Sequence, residues 1–103
     1  MTIEIRKDGD KTCVRIEGRL DTVSSQDFER QVMPLYERPR PEVVIDCAEL
    51  HYISSSGLRQ FLMLQKGILA AEGTLTVRNM NPDIKEIFDI TGFSNIFTIE
   101  SWS

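Results

Sequence analysis

The sequence predicts an α/β fold, a mixed β-sheet that opens with an antiparallel hairpin, continues as alternating helices and strands, and packs against its helices. Three observations carry this. Two apolar–polar alternations open the chain around a turn signal, a nearly continuous β-branched run stands mid-chain, and stretches of helical period separate the later strands. Strands joined through helices need crossovers and lie parallel, while a hairpin contributes one antiparallel pair.

The elements follow in order. "TIEIRKD" and "TCVRIEG" alternate through Ile3, Ile5, Val14 and Ile16, and Asp8-Gly9 between them is a favoured pair for a tight turn. In "GRLDTVSSQDFERQVMPLYE" the period changes, with Phe28, Val32, Leu35 and Tyr36 on one helical face and Ser24 and Ser25 as candidate caps. Pro34 removes a backbone donor, so a bend or weakened last turn is expected there. "EVVIDC" has the pattern of a central strand covered on both faces. The next helix presents Leu58, Phe61, Leu62, Gln65, Ile68 and Leu69, and Gly73 suits a left-handed C-cap. "TLTVRN" reads as a strand. In "NPDIKEIFDITG", Asn81 caps, Pro82 takes the first helical position, Ile84, Ile87 and Phe88 form the buried face, and Gly92 terminates. "NIFTI" supplies the last strand.

The 103 residues are expected to form one domain, 1–103, with no linker or internal repeat, long enough to bury roughly 60 to 70% of the unfolded surface. Apolar residues make up 41% and charged residues 27%, a globular balance that excludes disorder and fibrous repeats. With a net charge of −4 and basic residues dispersed among acids, as in "ERPRPE", no basic stripe exists for nucleic acid. Apolar runs such as "FLML" fall far short of the ~20 residues that span a bilayer, and the start is no signal peptide, so a cytoplasmic protein without membrane insertion is expected. Cys13 and Cys47 are too few for a disulfide framework or zinc site and read as two small buried hydrophobes. Met33, Met63 and Met80 share no common face and read as packing residues.

No cofactor is expected, because neither G-x-G-x-x-G nor G-x-x-x-x-G-K-[ST] occurs. Metal binding has no support either, since His51, the only histidine, lacks a second ligand at helical spacing. The serines do not sit in a G-x-S-x-G elbow, and a small serine hydrolase would need His51 to turn back onto Ser54 to Ser56. An enzyme is therefore not expected, and the small serine hydrolase stands only as a remote alternative.

The informative stretch is "ISSSGL", where three hydroxyls and a glycine precede a helix. Two readings stand side by side. Serines satisfy the free N–H groups of a first turn, and the same helix end favours an anion through its dipole. A phosphoserine at Ser55 or Ser56 would place about −1.5 to −2 charges at that positive end. Gly57 would let a partner's backbone approach without a β-carbon in the way. Asp21 is an acid at a helix start, suited to capping and to partner contact alike, while Leu58 reads as core and Arg59 as solvent-facing and open to a partner.

Over nearly its full length the chain resembles the STAS domain family, specifically the bacterial anti-sigma factor antagonists. The segment "RIEGRLDTVSSQDFE" resembles the family's Gly-x-Leu-Asp entry to the first helix, with Gly18, Leu20 and Asp21 in register. Its signature, a strand ending in Asp, then Leu, an apolar residue, hydroxyls, Gly and Leu, is matched by "VVIDCAELHYISSSGLRQFL"; "NMNPDIKEIFDITGFSNIFTI" is similar to its closing helix and strand. The resemblance implies a substrate of a kinase that is itself an anti-sigma factor, bound when dephosphorylated so that a sigma factor is released. Phosphorylation on one serine ends the contact, and a phosphatase restores it.

In the family pattern Asp-Ser-[Ser/Thr]-Gly, the acceptor falls on Ser55, with Ser56 as the alternative, and Gly57 takes the Gly. Ser54 stands where Asp is typical, which removes a negative charge beside the acceptor. Ser54, Ser56, Gly57, Arg59 and Asp21 are the implied partner contacts, and Asp21 and Glu49 the carboxylates expected near the phosphate. A monomer is expected when free. A STAS subunit of a transport or scaffold complex, using the same face without phosphorylation, is the alternative.

Overall fold

The computed structural model describes residues 1–100. β1 (Thr2–Asp8) and β2 (Lys11–Leu20) form the antiparallel hairpin; α1 (Thr22–Val32), β3 (Glu42–Ile53), α2 (Ser55–Ala70), β4 (Thr74–Arg78), α3 (Pro82–Thr91) and β5 (Thr98–Glu100) follow. The sheet runs β1-β2-β3-β4-β5, antiparallel at the hairpin and parallel thereafter. The mixed sheet and the central place of β3 are as expected from the sequence. The hairpin pairs Asp8 with Lys11, so its two loop residues are Gly9 and Asp10, with Gly9 at φ +65°, one position later than the Asp-Gly pair suggested.

Strands β2 to β5 are laid down in sequence order without reversal, and right-handed crossovers taken repeatedly in one direction put every helix on the same face of the sheet. The aromatic core agrees with this. Phe28 of α1 stacks on Phe61 of α2 at 5.7 Å, Phe61 meets Phe88 of α3 at 5.8 Å, and Phe97 packs 5.7 Å from Phe88. Beneath them lie Val14, Ile16, Val43, Ile45, Cys47, Leu50 and Val77 from the strands.

The other face of the sheet is open and polar, which corrects the expectation that β3 is covered on both sides. Glu4, Arg6, Cys13, Arg15, Asp46 and Arg78 line a shallow recess there. The continuous apolar look of "EVVIDC" comes from Val44, which points to the open face yet is only 6% exposed. Cys13 is accordingly half-buried, and only Cys47 is a core thiol, its ionisation pushed well above the usual thiol range by burial.

Local chemistry accounts for the ends of the helices. Pro34 has the predicted effect: α1 stops at Val32 and the chain continues as a 3₁₀ turn, Met33–Tyr36, that still brings Leu35 and Tyr36 against the core. Helix α2 ends otherwise than expected. Glu72, at φ +63°, takes the left-handed position, and the bonds Gly73 N–H to Ile68 O (2.8 Å) and Glu72 N–H to Leu69 O (3.0 Å) close a Schellman motif. Gly73 is required for a different reason, since a Cβ there would stand 2.1 Å from the Pro41 carbonyl oxygen.

Helix α3 begins and ends as predicted. The Asn81 side chain accepts from Ile84 N–H (2.9 Å) and donates to Leu50 O (3.0 Å), Pro82 follows, and Gly92 at φ +81° terminates. Two readings of burial and one strand boundary are corrected. Leu69 is exposed, Met33 and Met63 are exposed while Met80 is buried, and β5 starts only at Thr98 because Phe93–Asn95 form a 3₁₀ turn.

Candidate functional site

The serine cluster lies where β3 runs into α2, beside the end of β2. Both strands finish at neighbouring positions, Leu20 paired with Ile53, so the first turns of α1 and α2 emerge side by side. Ser54 N–H donates to Leu20 O at 2.9 Å and locks the two exits together. A second, longer contact of 3.4 Å joins the Thr22 and Ser56 hydroxyls across the two helix starts.

Each helix has its own cap. At α1 the cap is Asp21, which accepts from Ser24 N–H at 3.0 Å while the Ser24 hydroxyl accepts from Asp21 N–H at 2.9 Å, a reciprocal capping box. Ser24 and Ser25 are thus helical residues and not the cap; Ser25 is buried and donates its hydroxyl back to Asp21 O at 2.6 Å. The bonds from the Ser24 backbone and then its hydroxyl hold the Asp21 carboxyl below its usual value.

At α2 the cap is Ser54, whose hydroxyl accepts from Gly57 N–H at 3.1 Å. This separates the three serines by task. Ser54 is committed to the cap, Ser56 is half-buried against Thr22, and Ser55, the first residue of α2, is exposed with no side-chain hydrogen bond among the described residues. Asp and Ser cap about equally well, so Ser54 in place of the family's Asp keeps the helix start intact while removing a charge.

Gly57 is buried, which corrects its reading as a point of approach for a partner. A Cβ there would lie 2.8 Å from both Ile53 Cγ1 and the Leu20 carbonyl oxygen, and 3.0 Å from Leu20 Cγ. The close approach it permits is internal, between the start of α2 and the end of β2. Leu58 packs partly against the core and Arg59 is exposed, both as expected. Ser55 and Arg59 are four residues apart on α2 and share a helix face, with no ion pair to Arg59 among the described residues.

Glu49 is not brought to the serines. It stands on β3 five residues before Ser54, roughly 16 Å along an extended strand, beside Arg15 at 4.0 Å and His51 at 3.9 Å. Of the two carboxylates expected near the phosphate, Asp21 is the one at this end of the sheet. His51 is exposed next to Glu49 and makes no hydrogen bond to Ser54, Ser55 or Ser56, so the geometry offers no nucleophile–base pair.

Two features of this surface escaped the sequence reading. Val23, second residue of α1, is 86% exposed at the rim of the serine cluster. Its signal was present: an apolar residue off the Phe28 and Val32 face has no core to enter. Arg19 lies over the Tyr52 ring at 4.1 Å on the adjoining strand ends, a pairing that only the register of β2 against β3 creates.

This arrangement has counterparts. Residues 2–102 match the STAS domain family. The candidate anti-sigma factor antagonist BtrV of Bordetella bronchiseptica is 30% identical over 82% of this chain and 72% of its own length. The anti-sigma-B factor antagonist of Bacillus subtilis is 25% identical over 100% of this chain and 94% of its own. Among solved structures, the Bacillus cell fate determinant SpoIIAA in its phosphorylated form superposes with a TM-score of 0.77 at 14% identity, covering 99% of this chain and 92% of that one. The chain belongs to the STAS domain family, and the relatives it matches there include anti-sigma factor antagonists.

Proposed function

We propose that this anti-sigma factor antagonist is a phosphorylation-switched binding module in the cytoplasm, with Ser55 as the phosphoacceptor and an anti-sigma factor kinase as its partner. The observation that carries the reading is the division of labour among the serines. Ser54 holds the helix and Ser56 is engaged with Thr22, which leaves Ser55 exposed and uncommitted at the start of α2. A kinase can reach that hydroxyl without unravelling a cap.

The unmodified surface around Ser55, comprising Val23, Thr22, Ser56, Arg59 and Asp21, is the proposed contact. Val23 is an exposed apolar anchor of the kind that a partner pocket covers. Phosphorylation sets a dianion among these groups. Inside the free domain the charge is tolerable, because the positive end of α2 and the Arg59 guanidinium four residues on both favour it. Within an interface the dianion must lose its water, while Asp21 at the neighbouring helix start repels it. Each 1.4 kcal/mol lost is about a tenfold loss of affinity, so the modification releases the partner without refolding the domain. A phosphatase then returns Ser55 to the binding state. The chemistry is supplied by the kinase and the phosphatase, and this chain is their substrate.

The test is phosphate localisation. Incubation with the candidate anti-sigma kinase and ATP, followed by fragmentation mass spectrometry, is expected to place a single phosphate on Ser55. Modification confined to Ser56, Ser24 or Ser25, or none with a kinase shown to be active, refutes the assignment.

A further inference from the structure

β1 is an edge strand. Among the described residues it pairs with β2 alone, and every residue from Thr2 to Asp8 except Ile3 is exposed. The two-residue loop closes on a hydrogen-bonded pair, Asp8 with Lys11, and hydrogen-bonded pairs then recur at every second position. Asp8, Arg6, Glu4 and Thr2 therefore turn their N–H and C=O groups toward β2. Those of Ile3, Ile5 and Lys7 point outward, an unpaired template for another strand.

We infer that this template takes a second copy of the same chain, β1 against β1 in antiparallel register about a dyad at Ile5. The choice of register comes from charge. In an antiparallel pair centred on Ile5, Glu4 of each copy stands opposite Arg6 of the other, and Ile3 opposite Lys7. Centred on Glu4 or on Arg6, the strand would set that charge against itself; centred on Ile3 or Lys7, the pairing runs off the end of the strand.

The Ile5 register also satisfies the hydrogen bonds. Ile5 with Ile5 and Ile3 with Lys7 become hydrogen-bonded pairs built from the outward groups, and Glu4 with Arg6 becomes the closer, non-hydrogen-bonded pair, where side chains interact most. The two side chains already pair within one strand, Arg6 Nε lying 2.5 Å from a Glu4 carboxylate oxygen. Across the dyad they form an alternating square of two acids and two guanidinium groups.

Ile5 is 36% exposed and points to the helix side of the sheet, as does Val14 opposite it, so the two copies of Ile5 cover one another. The dyad stands perpendicular to the sheet. The product is one continuous sheet of twice five strands, with the helices of both copies on one face and the two Ser55 sites open at opposite ends. Dimerisation is then independent of the phosphoswitch, and the expectation of a free monomer gives way to a concentration-dependent equilibrium. The contact is small, so a Kd on the order of 10⁻⁴ M is expected.

The full chain is tested by sedimentation equilibrium up to about 1 mM, the concentration that matches a minimal association free energy. The native chain is expected to populate a dimer. Arg6→Glu sets like charges at both cross-strand positions and is expected to weaken it about tenfold. The double reversal of Glu4→Arg with Arg6→Glu restores complementarity and should restore the dimer. Ile5→Pro, which removes an outward N–H without touching the β1–β2 ladder, is expected to abolish it. Far-ultraviolet circular dichroism checks that each variant is folded; should Ile5→Pro fail that check, the two charge variants decide. A native chain monomeric at about 1 mM, or a dimer indifferent to Arg6→Glu, overturns the inference.

Discussion

Gly57→Ala puts the packing of the two helix starts to a direct test. The added methyl carbon would sit 2.8 Å from the Leu20 carbonyl oxygen and 2.8 Å from Ile53 Cγ1, with Leu20 Cγ at 3.0 Å. None of the three is the far end of a flexible side chain. The Leu20 oxygen already accepts the Ser54 N–H at 2.9 Å, so it cannot retreat without weakening the bond that joins the β2 and β3 exits. Leu20 is fully buried and Ile53 nearly so, which leaves their side chains no free volume to enter. Overpacking of this kind costs about 1–3 kcal/mol. Against it stands the helix propensity of Ala over Gly, about 1 kcal/mol in a helix interior and less in a first turn. The balance is a loss of about 1–2 kcal/mol, or about 5–15 °C in Tm for a domain of this size. Urea denaturation followed by circular dichroism gives the stability, and the amide shifts of Ser54 and Gly57 in a ¹H–¹⁵N spectrum report the displaced helix start. An unchanged or raised midpoint would refute the reasoning.

Three further outcomes are expected. Ser54→Ala should lose about 1 kcal/mol with its cap, whereas Ser54→Asp keeps a cap and should move stability by less than about 0.5 kcal/mol while changing the initial rate of Ser55 phosphorylation; denaturant midpoints and radiolabel incorporation read the two effects. Ser55→Asp should weaken binding to the anti-sigma partner and Ser55→Ala preserve it, because the alanine leaves the Ser54 cap untouched; calorimetric titration giving equal affinities would exclude this surface as the contact. The Asp21 carboxyl is held below its ordinary 3.8, so its contribution is present above that pH and lost as the pH falls through the lowered folded value. Stability curves of the native chain and Asp21→Asn should therefore differ near pH 6 and converge in strong acid, and parallel curves throughout would show that the ionised cap contributes nothing.

The alternation of Ile3, Ile5, Val14 and Ile16, the helical faces of Phe28 and Phe61, and the caps Asn81 and Gly92 are local signals, and from them the sequence by itself determined the order of elements and the mixed sheet. Periodicity reports which side of an element is apolar, and helix starts are written in a few neighbouring residues. The serine cluster was legible for the same reason, as hydroxyls and a glycine before a helical run. The tertiary structure alone decided what those residues face. Whether β3 is covered on one side or two depends on the sense of three crossovers, which no run of residues encodes. Gly57 and Gly73 look alike in sequence to glycines of a turn, yet both are held by close approach of chain far away in sequence, Leu20 in one case and Pro41 in the other. Ser54, Ser55 and Ser56 are chemically identical until the exits of β2 and β3 are set side by side; then Gly57 N–H takes the first, Thr22 the third, and the middle hydroxyl is left facing water.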